Sequence, residues 1–429
     1  MSVSTRTEDG RGGRYGVPLR SNGPGRRTLL ALLTAALAAL AMPAAAAAID
    51  EYPLAPGAVN PGSITRGPDG ALWFTLEGGD GAIGRMTTAG VHTNTFPLPP
   101  CSGSSCSSSI PPVDQIVLGP NGNLWFTMTR SNAIGQMNTA GGMAIYPIDT
   151  PDSQPEGLTV GPDGRLWFTE ANFNGIGAID MGGTDVDWSL PTSGSGPSDI
   201  ANGPDGALWF TESLTNKVGR ITTTGVVTNE FDVPTPSSEP SGITNTGGGL
   251  WFTESAVGQI AQISTGGIIT EYAGAGDQPS AIALAPDGAL WYTESGPASN
   301  AIGRITTGGI ITNHFPLATP GAEPSDITLG PDGNLWFTEF FGNKIGRVVT
   351  APPAPQPPPP PVVSLKPKPR PKCKVPKVRG LTVKKAIKKL KKARCKYKVR
   401  GKGRVVSTKP KAGKRTSKTV SVKASRKKS

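Results

Sequence analysis

Short apolar runs recur along this chain at a steady interval. Each reads Leu-Trp-(Phe/Tyr)-Thr, with the tryptophan at 73, 125, 167, 209, 251, 291 and 336. The spacing is close to 42 residues, and such a period marks a repeat architecture. Within the unit 196–234 the pattern resolves further. A short strand (Asp199 to Ala201) meets the turn Gly-Pro-Asp-Gly at 203–206, and Asp-Gly is a strong hairpin signal. A second strand follows at Ala207 to Glu212, a third at Lys217 to Thr223, and a fourth at Val226 to Val233. Four short strands per unit and no helical period predict an all-β, seven-bladed β-propeller of four-stranded blades.

The pattern also predicts how the ring closes. The seventh unit stops after its third strand, at Arg347-Val348-Val349-Thr350. The orphan stretch Ile49 to Leu54 precedes the first unit and reads like a fourth strand, so it should complete blade seven and remove a free sheet edge. Blades are covered on both faces, so the repeated Trp and Phe are expected to pack between blades. The eighth tryptophan, Trp188, falls outside the period. Arg347 and its equivalents are expected to cap carbonyls or face solvent.

Hairpin geometry nominates a site. The first strand starts just after a proline and the second ends at the rim opposite the Gly-Pro-Asp-Gly turn. Two rings of residues should therefore surround one mouth of the channel. The first is Gly62, Asp114, Glu156, Ser198, Ser241, Ser280 and Ser325; the second is Leu76, Met128, Glu170, Glu212, Glu254, Glu294 and Glu339. Asp199 and Asp326 adjoin the first ring. Crowded carboxylates shift one another's pKa toward neutrality, and they can hold a hard cation such as Mg²⁺. Glu254, Glu294 and Glu339 are the candidates for any catalytic role. The alternative is a rim that satisfies strand ends. The two histidines, His92 and His314, fall in fourth strands and are expected at the outer surface.

Charge divides the chain. Residues 49–361 carry nine Lys/Arg against 29 Asp/Glu, whereas 362–429 carry 28 Lys/Arg and no acid. Arg26-Arg27 precede an apolar run from Leu29 to Ala48 that ends in small residues. This reads as an export signal of twin-arginine type, with an uncleaved anchor as the alternative. An exported chain with four cysteines in two local pairs favours the disulfides Cys101–Cys106 and Cys373–Cys395. The predicted organisation is a signal or anchor at 1–48, a propeller at 49–350, a proline-rich linker at 351–371, a basic domain at 372–425 and a basic tail at 426–429.

The repeated units, with their P-x-[GAD]-I, GPDG, LWFTE and N-[AK]-I-G-R-I-T signatures, resemble those of the streptogramin (virginiamycin) B lyase family over residues 49–350. The resemblance implies a seven-bladed propeller and a Mg²⁺-dependent lyase that opens a cyclic depsipeptide antibiotic by elimination at its ester bond. In that family histidines in the proline-led slot of late blades act with a nearby glutamate. Here the slot holds Ser241, Ser280 and Ser325. Residues 372–425 resemble a PASTA domain through V-P-x-V-x-G-x-T at 375–382, A-x-x-x-L at 386–390, V-V-S at 405–407, P-x-x-G at 410–413 and V-x-V at 420–422. That resemblance implies affinity for peptidoglycan, and the basic charge suits anionic wall polymers. Thr382 is placed to cap a helix. Few aromatics and the export signal argue against nucleic acid. Two functions stay open: an exported, wall-associated monomer whose mouth binds an unknown small molecule or peptide, and a streptogramin B-type carbon–oxygen lyase.

Overall fold

The computed structural model describes residues 48–100, 112–350, 373–409, 411, 413, 415, 416 and 420–425. The expected export signal, the Cys101–Cys106 pair, the proline-rich linker and the final basic residues lie outside these. The chain divides into two compact units, Met1–Ala354 and Pro355–Ser429.

The first unit contains seven four-stranded antiparallel sheets. In blade four the strands are Pro197–Asn202, Leu208–Glu212, Lys217–Ile221 and Val227–Asp232, paired in that order. Blade seven is built from Pro324–Leu329, Leu335–Glu339 and Lys344–Val349, and its outer strand is Ala48–Pro53 from the other end of the propeller. The register runs antiparallel from Ala48↔Val349 to Pro53↔Lys344. The ring is thus closed by main-chain hydrogen bonds rather than by side-chain packing alone.

The second strand of each blade is buried along its whole length. Its tryptophan stacks on an aromatic residue of the same blade's fourth strand in all seven sheets, with centroids 5.1–5.7 Å apart. Trp188 is therefore inside the pattern: it occupies this fourth-strand position in blade three and stacks on Trp167. The repeat of the fourth strand is aromatic rather than tryptophan-specific, which hid it. Offset aromatic pairs of this kind are worth about 0.5–1.5 kcal/mol beyond area burial. The third-strand arginines do more than face solvent. Arg85, Arg220 and Arg304 pair with Asp69, Asp205 and Asp287 of the turns and lie over the blade's tryptophan.

The threonine of each repeat joins blade to blade. Thr169 Oγ1 donates to Ser198 O (2.8 Å), Thr211 to Ser241 O (2.6 Å), Thr253 to Ser280 O (2.7 Å) and Thr338 to Gly62 O (2.6 Å). The same oxygens accept first-strand amides of their own blade, such as Asp199 N (3.1 Å) and Asp326 N (3.0 Å). A hydroxyl can donate and accept at once, so one buried atom ties two blades.

The second unit packs the helix Val383–Lys392 against a three-stranded sheet of Tyr397–Arg400, Val420–Ser425 and Arg404–Lys409, with a two-stranded piece Cys373–Lys374 and Arg415–Thr416. Its core holds Val375, Val378, Ala386, Leu390, Val405, Val420 and Val422. Cys373 and Cys395 form the expected disulfide, joining the first strand to the residues just past the helix. Thr382 sits at the N-cap position, but its side chain makes no capping bond; its carbonyl accepts Ala386 N instead.

Candidate functional site

The first strands surround the channel, and their side chains line it. A cavity of about 210 Å³ at one mouth is lined by Gly62, Asp114, Glu156, Ser198, Asp199, Ser241, Ser280, Ser325 and Asp326, together with Glu77. A further cavity of about 360 Å³ also reaches Asp199 and Asp326, so these two aspartates stand at the waist of the channel. The first predicted ring is assembled as expected.

The second ring is not in the mouth. Glu170, Glu212, Glu254, Glu294 and Glu339 are buried, at 0–1% exposure. Register neighbours such as Pro324↔Glu339 do hold, but the pairing shifts between Pro324 and Ile327, and similar shifts occur in blades three to six. The first-strand side chain turns to the channel while the second-strand glutamate stays between the first and third strands. There it meets the fourth strand of its own blade. The largest charge effects on Glu212, Glu254 and Glu339 come from Glu230, Glu271 and Glu51, with Lys217 and Lys344 partly opposing them at Glu212 and Glu339. Among the described residues no hydrogen bond of good geometry reaches either carboxylate oxygen of Glu170, Glu254 or Glu339, and the weaker approaches of Ser153, Ser238 and Thr319 only partly offset their burial. Burial pushes these three up to about 8, 7 and 7, which keeps them protonated where an exposed glutamate would be ionised.

The mouth is asymmetric. Apart from the waist aspartates Asp199 and Asp326, its acids come from blades one to three (Glu77, Asp114, Glu156), and the first-ring hydroxyls Ser198, Ser241, Ser280 and Ser325 come from blades four to seven. Glu77 was not foreseen. It follows the second strand of blade one, and a Cβ at Gly62 would collide with its Oε1, so the glycine in the first ring makes room for it. Burial raises Glu77 to about 8 and Glu156 to about 7, with the charge of Asp114 adding to both. Asp114 itself is raised to about 6, by burial and then by Asp326.

The waist aspartates already have work. Asp326 Oδ2 accepts from Ser63 Oγ (2.8 Å) and Ile64 N (2.8 Å) of blade one, and Oδ1 accepts from Ile327 N (2.7 Å). Asp199 Oδ2 accepts from Ile243 N of blade five (2.8 Å), and Oδ1 from Ile200 N (2.8 Å). Ser325 Oγ lies 3.1 Å from Gly62 O and 2.8 Å from Thr338 Oγ1, and Ser280 Oγ lies 3.1 Å from Ser325 O and 2.8 Å from Thr293 Oγ1. These two hydroxyls stitch blades rather than face a base. Among the described residues no group of three or more His, Cys, Asp or Glu is placed to hold one metal ion. The mouth thus offers Mg²⁺ at most two protein carboxylates at a time.

Neither histidine is in the mouth. His92, half-buried, accepts from Ala55 N at Nδ1 (2.9 Å). His314 is on the outer edge as expected, yet it is engaged: its Nδ1 lies 2.5 Å from Glu294 Oε1. Aligning the fourth strands would have shown it in one column with Asp187, Glu230, Glu271 and Glu51, each opposite a small third-strand residue.

Known proteins share this architecture. The virginiamycin B lyase family matches residues 47–275 and 273–353, and the PASTA domain matches 374–425. A streptogramin B lyase structure is 36% identical with a TM-score of 0.62, covering 70% of this chain and 97% of its own. The virginiamycin B lyase from Staphylococcus aureus, as a catalytically inactive histidine-to-alanine variant with quinupristin, is also 36% identical with a TM-score of 0.62, covering 70% and 98%. The hydrazine synthase of Kuenenia stuttgartiensis shares the fold at 17% identity and a TM-score of 0.56, over 69% of this chain and 97% of its own. No curated protein sequence matches the chain. With more than half its length matched by the family and two such relatives at 36% identity, the chain belongs to the virginiamycin B lyase family and carries a PASTA domain behind the propeller.

Proposed function

We propose that this protein is an exported, cell-wall-associated binding protein that uses the family's scaffold without its elimination reaction. The observation that carries this is the histidine-free mouth. In the Staphylococcus aureus relative, loss of one histidine goes with a catalytically inactive protein. Here both histidines lie in fourth strands, away from the mouth. A serine hydroxyl is a poor base unless a partner activates it, and Ser280 and Ser325 are committed to inter-blade bonds. The acidic arc of Glu77, Asp114 and Glu156 favours a ligand that brings positive charge, such as an amine or a cationic peptide. Such a ligand would draw protons off the raised carboxylates as it binds.

The second unit supplies the location. PASTA domains bind peptidoglycan or related wall ligands, and this one carries only basic charge. Attraction to anionic wall polymers falls as salt rises. The test is sedimentation with purified cell walls at increasing salt, comparing the mature chain with a chain ending at residue 350. The full chain should pellet at low salt and release as salt rises, while the truncated chain stays in solution. Equal pelleting of both would overturn the anchoring role.

Family membership keeps one other reading in view, a lyase centred on the carboxylates of the mouth. Mg²⁺ would then be needed, and a rise in melting temperature at millimolar Mg²⁺ would be its signature.

A further inference from the structure

Blade six departs from blades three, four, five and seven in how its fourth strand meets the entering loop. In blades three, four, five and seven the fourth strand presents an acid that clamps a threonine of the loop entering that blade. Asp187 accepts from Thr150 Oγ1 (2.7 Å), Glu230 from Thr192 Oγ1 (2.5 Å), Glu271 from Thr235 Oγ1 (3.0 Å) and Glu51 from Thr319 Oγ1 (2.5 Å). The clamp covers the buried second-strand glutamate. In those blades seven residues separate the preceding fourth strand from the proline that opens the blade, for example Val233 to Glu239. In blade six there are five, Gly274 to Gln278, and no threonine. The acid is replaced by His314.

The shortened loop leaves a cavity of about 590 Å³, lined by Val257, Gly258, Gly274, Gly276, Ala301 and Pro316 around Glu294, Ser299 and His314. Glu294 is 1% exposed and sits at its base, whereas the His314 side chain is 42% exposed. Gly276 is held at φ +80°, and a Cβ there would collide with Glu294 Oε2 and crowd Ser299 Oγ. Glycine at this position keeps the carboxylate open to the cavity. The same blade alone has tyrosine in the repeated aromatic position, and Tyr292 Oη is buried without a partner among the described residues.

The chemistry follows from the pair. Burial raises Glu294 and its contact with His314 lowers it; when the carboxylate is ionised, His314 Nδ1, 2.5 Å from its Oε1, carries the imidazole hydrogen and donates it. Nε2 is then an acceptor, and it has no partner among the described residues. We propose that this pocket is a second ligand site, separate from the mouth: it takes a small molecule with a hydroxyl or amide N–H on an apolar body, and His314 Nε2 accepts that hydrogen. Val257, Ala301 and Pro316 supply the apolar walls.

The chain has only two histidines, so each can be followed by side-chain ¹⁵N NMR in the full-length protein at pH 8. Phenol is the probe, and anisole, which lacks the donor, is the control. The Nδ1–H tautomer is expected at His314. Phenol should shift its Nε2 saturably and leave His92 unmoved, and anisole should bind about tenfold more weakly, the worth of one net hydrogen bond. Val257→Trp, at an exposed wall position, should abolish the shift while the His92 signal and melting temperature stay unchanged. The proposal is overturned by an Nε2–H tautomer, by no saturable shift, by an equal shift of His92, or by anisole binding as well as phenol.

Discussion

Two rings of polar residues sit one register step apart in this propeller, and they do opposite things. The first-strand ring faces the channel, where Asp114 and Glu156 are reachable by a ligand. The second-strand ring is sealed inside the blades, where Glu170, Glu254 and Glu339 carry raised pKa values and, among the described residues, no hydrogen bond of good geometry. Neighbours in a ladder share a register but not a direction. A shift of pairing after the proline turns one side chain to solvent and leaves the other in the core.

The strongest test of the comparison is at the waist, where a channel residue also holds the ring together. Asp326→Ala leaves the donors on Ser63, Ile64 and Ile327 without their acceptor, and it should cost about 3 kcal/mol in chemical denaturation. A loss under about 1 kcal/mol would show that the waist aspartate serves the ligand and not the ring.

Thr211→Val removes a single inter-blade stitch to Ser241 O and should cost about 1–2 kcal/mol, with ligand binding at the mouth intact. A purely local role for the repeated threonine would leave stability unchanged.

The sealed ring sets a pH dependence. Folding raises Glu170 to about 8 and Glu254 and Glu339 to about 7, well above the unfolded value of 4.5. The native state therefore binds more protons than the unfolded chain between these limits, and stability falls as pH rises through that window. Melting temperature should be highest near pH 5 and drop by several degrees by pH 8. Glu254→Gln, neutral at every pH, should flatten the drop and leave the pH 5 value nearly unchanged. A melting temperature that rises from pH 5 to pH 8 would contradict the sealed, protonated state.

The smallest effect on stability is expected at the mouth. At pH 5, where Glu156 and Gln are both neutral, Glu156→Gln should alter stability by less than about 0.5 kcal/mol, as for other substitutions away from the packed core. It should nonetheless weaken any cationic ligand, measured by calorimetry. A larger loss of stability would move Glu156 from the ligand side of the comparison to the structural side.

Much of this was legible in the chain. The 42-residue period gave the blades, and the missing fourth strand of the last unit gave the closure by Ala48–Pro53. The first ring followed because first strands must line the axis. The second ring misled because sequence spacing records which residues are level, not where they point. Glu77 was missed because it lies beyond the repeated motif and depends on the empty space over Gly62. The Glu294–His314 contact was missed because the two residues are 20 apart, on strands separated by a third. Trp188 looked irregular only while tryptophan, rather than any aromatic ring, was taken as the mark of the repeat.

The central claim is a family scaffold whose mouth binds without opening a ring. Its most direct test is incubation of the purified protein with quinupristin and Mg²⁺, followed by fragmentation mass spectrometry. Elimination leaves the total mass unchanged, so the fragment pattern must distinguish the cyclic from the linear form. The account predicts cyclic quinupristin throughout, with the protein folded. Linear product from the wild type that disappears in Glu156→Gln or Glu77→Gln would contradict it and place a histidine-free lyase centre among the mouth carboxylates.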